Sequence, residues 1–197
     1  MGSKKRDAWT AVADRMGAEF TEGGFWRNDT LCLKRKNWTI YLDTFMRSTG
    51  NSSYPCTRIR APYISTNNLQ FRIYEENILS PVSKWLGLQD IQVGNKKFDH
   101  RYMIKGNDEH MIRKLFEPQD IKTLMLDIRS MAIRTKDKEG YFSAHYAENA
   151  DLIYFEQKGI INKEETLSAL LALFCLLLDR LVEIGAASEE DPKVNLD

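Results

Sequence analysis

Arginine is the side chain that most clearly offers chemistry in this sequence. Residues 27 to 73 hold eight basic side chains: Arg27, Lys34, Arg35, Lys36, Arg47, Arg58, Arg60 and Arg72. They hold two acidic ones, Asp29 and Asp43. The chain as a whole balances 28 basic against 28 acidic residues. The segment therefore carries +6 and the remainder −6, with the tail from Glu183 onward supplying −4 of that. In an extended segment Arg58 and Arg60 share one face, because side chains two apart point the same way. Arg72 is expected to join them on a neighbouring strand, with Tyr41 and Tyr74 as flanking rings. Guanidinium forks beside aromatic rings suit a phosphate, a nucleic acid or an acidic peptide. The competing reading is a solvated sheet face whose arginines pair with carboxylates from the acidic remainder.

Other side chains offer less. His100, His110 and His145 are the three histidines, with neither HExxH nor HxH spacing, so no metal site is expected. Asp99 adjoins His100, but successive strand residues point to opposite faces. Cys32, Cys56 and Cys175 form no CxxC pair, and no GxSxG elbow exists. Cys56, after Pro55, is expected near an exposed loop, and Cys175 in the core. Gly23-Gly24 lacks the spacing of a phosphate-binding loop and reads as a turn before Phe25-Trp26, itself a core anchor or an exposed tip. No catalytic residue and no cofactor is assigned.

The elements that must position these residues follow from hydrophobic period. Residues 4–16 read as a helix stopped by Gly17. Residues 31–34 and 38–42 alternate as a hairpin, 47–54 read as a loop, and 57–61 and 69–74 as strands. A helix is predicted over 77–86, then a short strand at Ile91 and Val93. A strand over 98–105 would place Phe98, His100, Tyr102 and Ile104 on one face. Asn107 is expected to cap a helix, and Pro118 to start the next. Strands are predicted over 131–135, 141–146 and 152–157. Asn162 and Glu165 suggest a variant capping box for the longest helix, about 163–184. Its leucines need a sheet or a partner to cover them. Residues 188–197 read as a frayed acidic tail.

Strands joined by hairpin turns and interleaved with helices indicate an α+β fold. The expectation is one domain over 1–187: a mainly antiparallel sheet of seven to nine strands, with the long C-terminal helix over its apolar face. A chain of 197 residues, 43% hydrophobic and 28% charged, is not a disordered or collagen-like one. The longest apolar run, 169–178, is about half a membrane span. No signal core is present, and few cysteines suit a reducing compartment, so a cytoplasmic location is expected.

Residues 98 to 125 carry Phe98-Asp99, Tyr102, Ile104, Gly106 and Asp108, then Arg113, Leu115-Phe116 and Pro118. This pattern resembles a segment of a family of uncharacterised bacterial proteins. There an acidic-aromatic strand precedes a Gly/Ser-x-Asp turn and a helix ending in Leu-Leu-x-Pro. The resemblance implies a bacterial protein and assigns no chemistry.

The function read from the sequence is a non-catalytic binding or interaction module using the basic and aromatic face: Arg58, Arg60, Arg72, Tyr41 and Tyr74. Its partner would be a protein or acidic ligand, with nucleic acid disfavoured because no recognition signature accompanies the charge. The alternative is a small-ligand protein or enzyme with a pocket between sheet and helices, lined by His100, Tyr102, Tyr141 and His145. A third reading is an oligomer joined through the leucine-rich helix.

Overall fold

A computed structural model describes residues 2–24, 28–50, 52–75, 90–137 and 149–196. Nine strands run β1 (Glu19–Thr21), β2 (Thr30–Arg35), β3 (Trp38–Ser48), β4 (Ser53–Ser65), β5 (Phe71–Glu75), β6 (Tyr102–Gly106), β7 (Ala132–Asp137), β8 (Ala150–Lys158) and β9 (Ala187–Ser188). Five helices, α1 (Gly2–Met16), α2 (Lys96–Arg101), α3 (Glu109–Leu115), α4 (Gln119–Asp127) and α5 (Glu164–Glu183), complete the described residues. The strands form one sheet in the order β1-β2-β3-β4-β8-β7-β5-β6, with β9 on β4. Every ladder between these strands is antiparallel. The α+β fold is thus as the hydrophobic pattern indicated.

Strand β4 is the longest, and it pairs with β3, β8 and β9. The β3–β4 ladder ends at Arg60, two residues short of Pro62, which has no N–H to give. Strand β9 pairs β4 beyond that gap, at Ile64 and Ser65. The loop predicted over 47–54 shrinks to the tip between Ser48 and Ser53, where Thr49 N–H donates to the Ser52 carbonyl at 2.8 Å.

One face of the sheet is apolar. Leu31, Leu33, Ile40, Leu42, Ile59, Ile73, Ile133, Ile153 and Phe155 are buried there. The long helix α5 packs on it with Leu167, Leu170, Leu171, Phe174, Leu177, Leu178 and Leu181, all fully buried within the one chain. The leucine face is therefore covered by the chain's own sheet and helices. Helix α1 adds Trp9, whose indole N–H donates to the Ile161 carbonyl at 3.0 Å. Each full burial of such a side chain contributes about 1.5–3 kcal/mol.

Helix ends explain several departures from the sequence reading. At Gly185 (φ +75°) the Gly185 N–H reaches the Val182 carbonyl, and the Ala186 N–H reaches that of Leu181. This paired closure needs the left-handed conformation that glycine adopts freely. The capping box at Asn162 does not form: Lys163 occupies the cap position, with no side-chain bond. Asp108 caps α3, accepting from Met111 N, while Asn107 bridges Gln70 N–H and the Asn68 carbonyl. Residues 98–105 are not one strand. Asn95 accepts from Phe98 N and starts α2, which ends where β6 begins. Phe98 and Tyr102 meet as i, i+4 rings, centroids 4.8 Å apart. That spacing fits period 2 and period 3.6 alike, so periodicity could not separate the two. Ile91 and Val93 lie outside any strand, although Ile91 N–H donates to the Ile104 carbonyl at 2.8 Å.

The segment expected to fray is held. Pro192 is buried, and residues 194 and 196 lie half-buried against the sheet. Tyr41 Oη donates to the Val194 carbonyl and an Arg60 N–H to that of Leu196, both at 3.1 Å. The predicted helix over 77–86, the strand over 141–146 and the pair Phe25-Trp26 lie outside the described residues. No described helix is long and apolar enough to cross a membrane.

Ile59 is fully buried in the central strand, paired with Leu42 and Phe155. Truncating Ile59→Ala should cost about 2–5 kcal/mol, read by urea unfolding, because the central site cannot collapse around the lost atoms.

Candidate anion-binding face

The opposite face of the sheet is built by the alternate residues of the same strands. Backbone register puts Tyr41, Arg60, Tyr154, Arg134, Arg72 and Lys105 in a single row across β3, β4, β8, β7, β5 and β6. Asp43, Arg58 and Glu156 form the adjacent row, and Lys136 lies two residues beyond Arg134. Arg72 shares a face with Arg58 and Arg60 as expected. It stands three strands from β4, however, because β8 and β7 intervene.

Two halves of this face differ in how charge is compensated. On β3 and β4 the arginines are paired. The Asp43 carboxylate accepts from Arg58 at 2.6 and 2.8 Å and from Arg60 at 2.8 Å. Burial opposes the charge on Arg58, yet the hydrogen bond to Asp43 holds its guanidinium above the ordinary value. Arg47 forms a two-pronged pair with Glu156, which also accepts from Tyr154 Oη at 2.8 Å. Burial alone would raise the Glu156 carboxyl, but hydrogen bonds from Arg47 and Tyr154 leave it below the usual range. Arg35 and Lys36, at the β2–β3 turn, reach Asp179 of α5. Much of the excess in 27–73 is thus neutralised inside the fold, as the competing reading of the sequence held.

On β7 and β5 the compensation changes character. Arg72 is 4% exposed and Cα-paired with Arg134 on the neighbouring strand. Arg72 lies over the Tyr74 ring at 4.7 Å, and Arg134 over the Tyr154 ring at 5.1 Å. Among the described residues neither arginine forms an ion pair; the Glu156 carboxylate, already held by Arg47 and Tyr154, feels the Arg134 charge from farther away. Burial and the Arg134 charge lower the Arg72 guanidinium from its ordinary value. Lys136 Nζ sits 3.4 Å from the Tyr154 ring centroid. Burial, then Arg134, pushes its ammonium down to about 7.

The other sequence candidates are placed only in part by the described residues. His100 is exposed on α2, whereas Tyr102 is buried and donates to the Met125 carbonyl at 2.6 Å. Tyr141 and His145 lie outside the described residues. His110 is exposed, and no described cluster of His, Cys, Asp or Glu could hold a metal ion. Cys56 is buried, not exposed, and Cys175 is half-buried, not core. Burial raises both thiols, which disfavours the thiolate a nucleophile needs. Sequence reasoning missed Arg134, Lys136 and Tyr154. The signal present was Arg134 in the strand predicted over 131–135; β7 runs on to Asp137 and so brings Lys136 onto the same face.

No family model matches the chain, and no curated protein matches it. Among solved structures it is similar to the crystal structure of the mycobacterial trehalose monomycolate transport factor A, TtfA. The likeness is one of fold. It has TM-score 0.56 at 9% identity and covers 95% of this chain and 99% of that one. The residues of 98–125 all have structural places here. Phe98, Tyr102, Ile104, Leu115 and Phe116 are core, and Asp108 and Pro118 start helices. At Gly106 a Cβ would meet Ile112 Cδ1 at 2.1 Å and the Gln70 carbonyl at 2.6 Å, so only glycine fits.

Two outcomes follow. Asp43→Ala strands two arginines on a half-buried face and should cost about 3 kcal/mol in chemical unfolding. Lys136 titrates near 7 in the fold against 10.5 for the free side chain. Between those values the unfolded chain binds more protons, so this position's contribution to stability rises with pH. Lys136→Met removes the penalty, and its gain in Tm should be larger near pH 6 than near pH 9. Equal gains would mean the ammonium is not held down.

Proposed function

We propose that this protein is a non-catalytic binding module for an anionic ligand, held on the basic and aromatic outer face of the sheet. The observation that carries this reading is the Arg72–Arg134 pair. Buried charges are ordinarily paired, and a guanidinium cannot escape burial by losing its proton. Two adjacent arginines without a carboxylate, one of them almost wholly buried, leave a place for an anion from outside. Arg58, Arg60 and Tyr41 frame that place at one end and Tyr74 at the other. Arg58 and Arg60 serve here as the structural border, since Asp43 already holds them.

Recessed cations argue against a nucleic-acid duplex, whose phosphates need protruding donors. The three free cysteines suit a reducing compartment, which is compatible with a cytoplasmic setting. The similar fold in a protein whose name is that of a transport factor is compatible with a binding role, as an analogy of fold only.

The test is a thermal-shift series at constant ionic strength with phosphate, sulfate, citrate and a poly-glutamate peptide. At least one should raise the Tm of the native chain and fail to raise that of Arg72→Gln/Arg134→Gln. If none raises it, the face is not an anion site.

A further inference from the structure

Resting on that reading, we infer that the anion taken by Arg72 and Arg134 is a single phosphoryl group in its dianionic form. The argument starts from charge. Two arginines on adjacent strands, their Cα atoms about 5 Å apart in such a ladder, contribute two fixed positive charges. One carboxylate would leave one of them uncompensated, whereas a phosphomonoester near neutral pH carries about −1.5 to −2.

Geometry points the same way. The Arg72 guanidinium carbon lies 4.7 Å over the Tyr74 ring centroid and that of Arg134 5.1 Å over the Tyr154 centroid. Stacking engages the flat face of a guanidinium and leaves its in-plane N–H donors available. Among the described residues these donors meet no acceptor on either arginine. The ring contacts therefore leave both donor forks unconsumed. Two such forks on neighbouring strands suit the several terminal oxygens of a tetrahedral group. The tyrosine faces already carry cations, so the site recognises the phosphoryl group and not a base or aryl ring stacked beside it. Arg134 is half-buried where Arg72 is buried, which gives the anion its side of entry.

Isothermal titration of the full chain at pH 7.5 and constant ionic strength tests this. The probes are inorganic phosphate, methyl phosphate, methyl sulfate and succinate. The expected result is one-to-one binding of inorganic phosphate, methyl phosphate or both, with methyl sulfate and succinate about tenfold weaker or more. Binding of methyl phosphate marks an esterified ligand; binding of inorganic phosphate alone marks the free ion. Arg72→Gln and Arg134→Gln should each weaken binding about tenfold or more, the loss of one charge-assisted fork. Arg72→Lys, which keeps the charge and loses the fork, should weaken it too. The selectivity among probes is measured on the native chain and needs no variant to fold. Succinate or methyl sulfate binding as tightly as phosphate would overturn the phosphoryl assignment and leave the anion site standing. Binding of no probe would overturn the phosphoryl assignment, and together with a thermal-shift series in which no anion raises the Tm it would overturn the anion site as well.

Discussion

Because β4 pairs with three other strands, the alternation of its side chains is imposed on most of the sheet. Ile59, Ala61 and Tyr63 turn to the helices, so Arg58 and Arg60 must turn away from them. A strand side chain has no third option. With α5 sealing the apolar face, the second face inherits every polar residue of the same strands. It is also substantially buried, and a buried charge must be compensated. Asp43 between Arg58 and Arg60, and Glu156 between Arg47 and Tyr154, are that compensation. It stops at β7 and β5, where Arg134 and Arg72 meet tyrosine rings in place of carboxylates.

This division separates fold from site. The architecture shared with the mycobacterial transport factor at 9% identity depends on the apolar face and its covering helices. Such a scaffold tolerates many outer faces, and a likeness of fold carries no chemistry with it. The row from Tyr41 to Lys105 stands on strands, not loops, so backbone pairing fixes the spacing of its side chains. Rigid placement of this kind is what a selective anion site needs.

The differences between sequence expectation and structure have particular causes. The hairpin tip between Ser48 and Ser53 is rich in turn-forming residues, yet long cross-strand pairing draws most of 47–54 into β3 and β4. Asn162 could cap a helix, but the chain starts α5 one residue later. The tail carries the composition of a frayed end. Strand β9 nevertheless returns it to the sheet, where Tyr41 and Arg60 hold its carbonyls.

What the sequence by itself determined is whatever depends on near neighbours. Period-two runs set strands and their two faces, the leucine spacing set α5, and Gly17 and Gly185 set helix ends. Arg58, Arg60, Tyr41, Arg72 and Tyr74 were therefore legible as members of a polar face. Only the tertiary structure decided which strand lies beside which. The order β4-β8-β7-β5 joins residues far apart in the chain, and no local period records it. The β3–β4 hairpin gave Arg58 and Arg60 a carboxylate, whereas that long-range order gave Glu156 a place beside β4 and gave Arg72 a second arginine. Charge compensation is a matter of distance in space, so the sequence could name the cations but not say which of them would meet a carboxylate and which an aromatic ring.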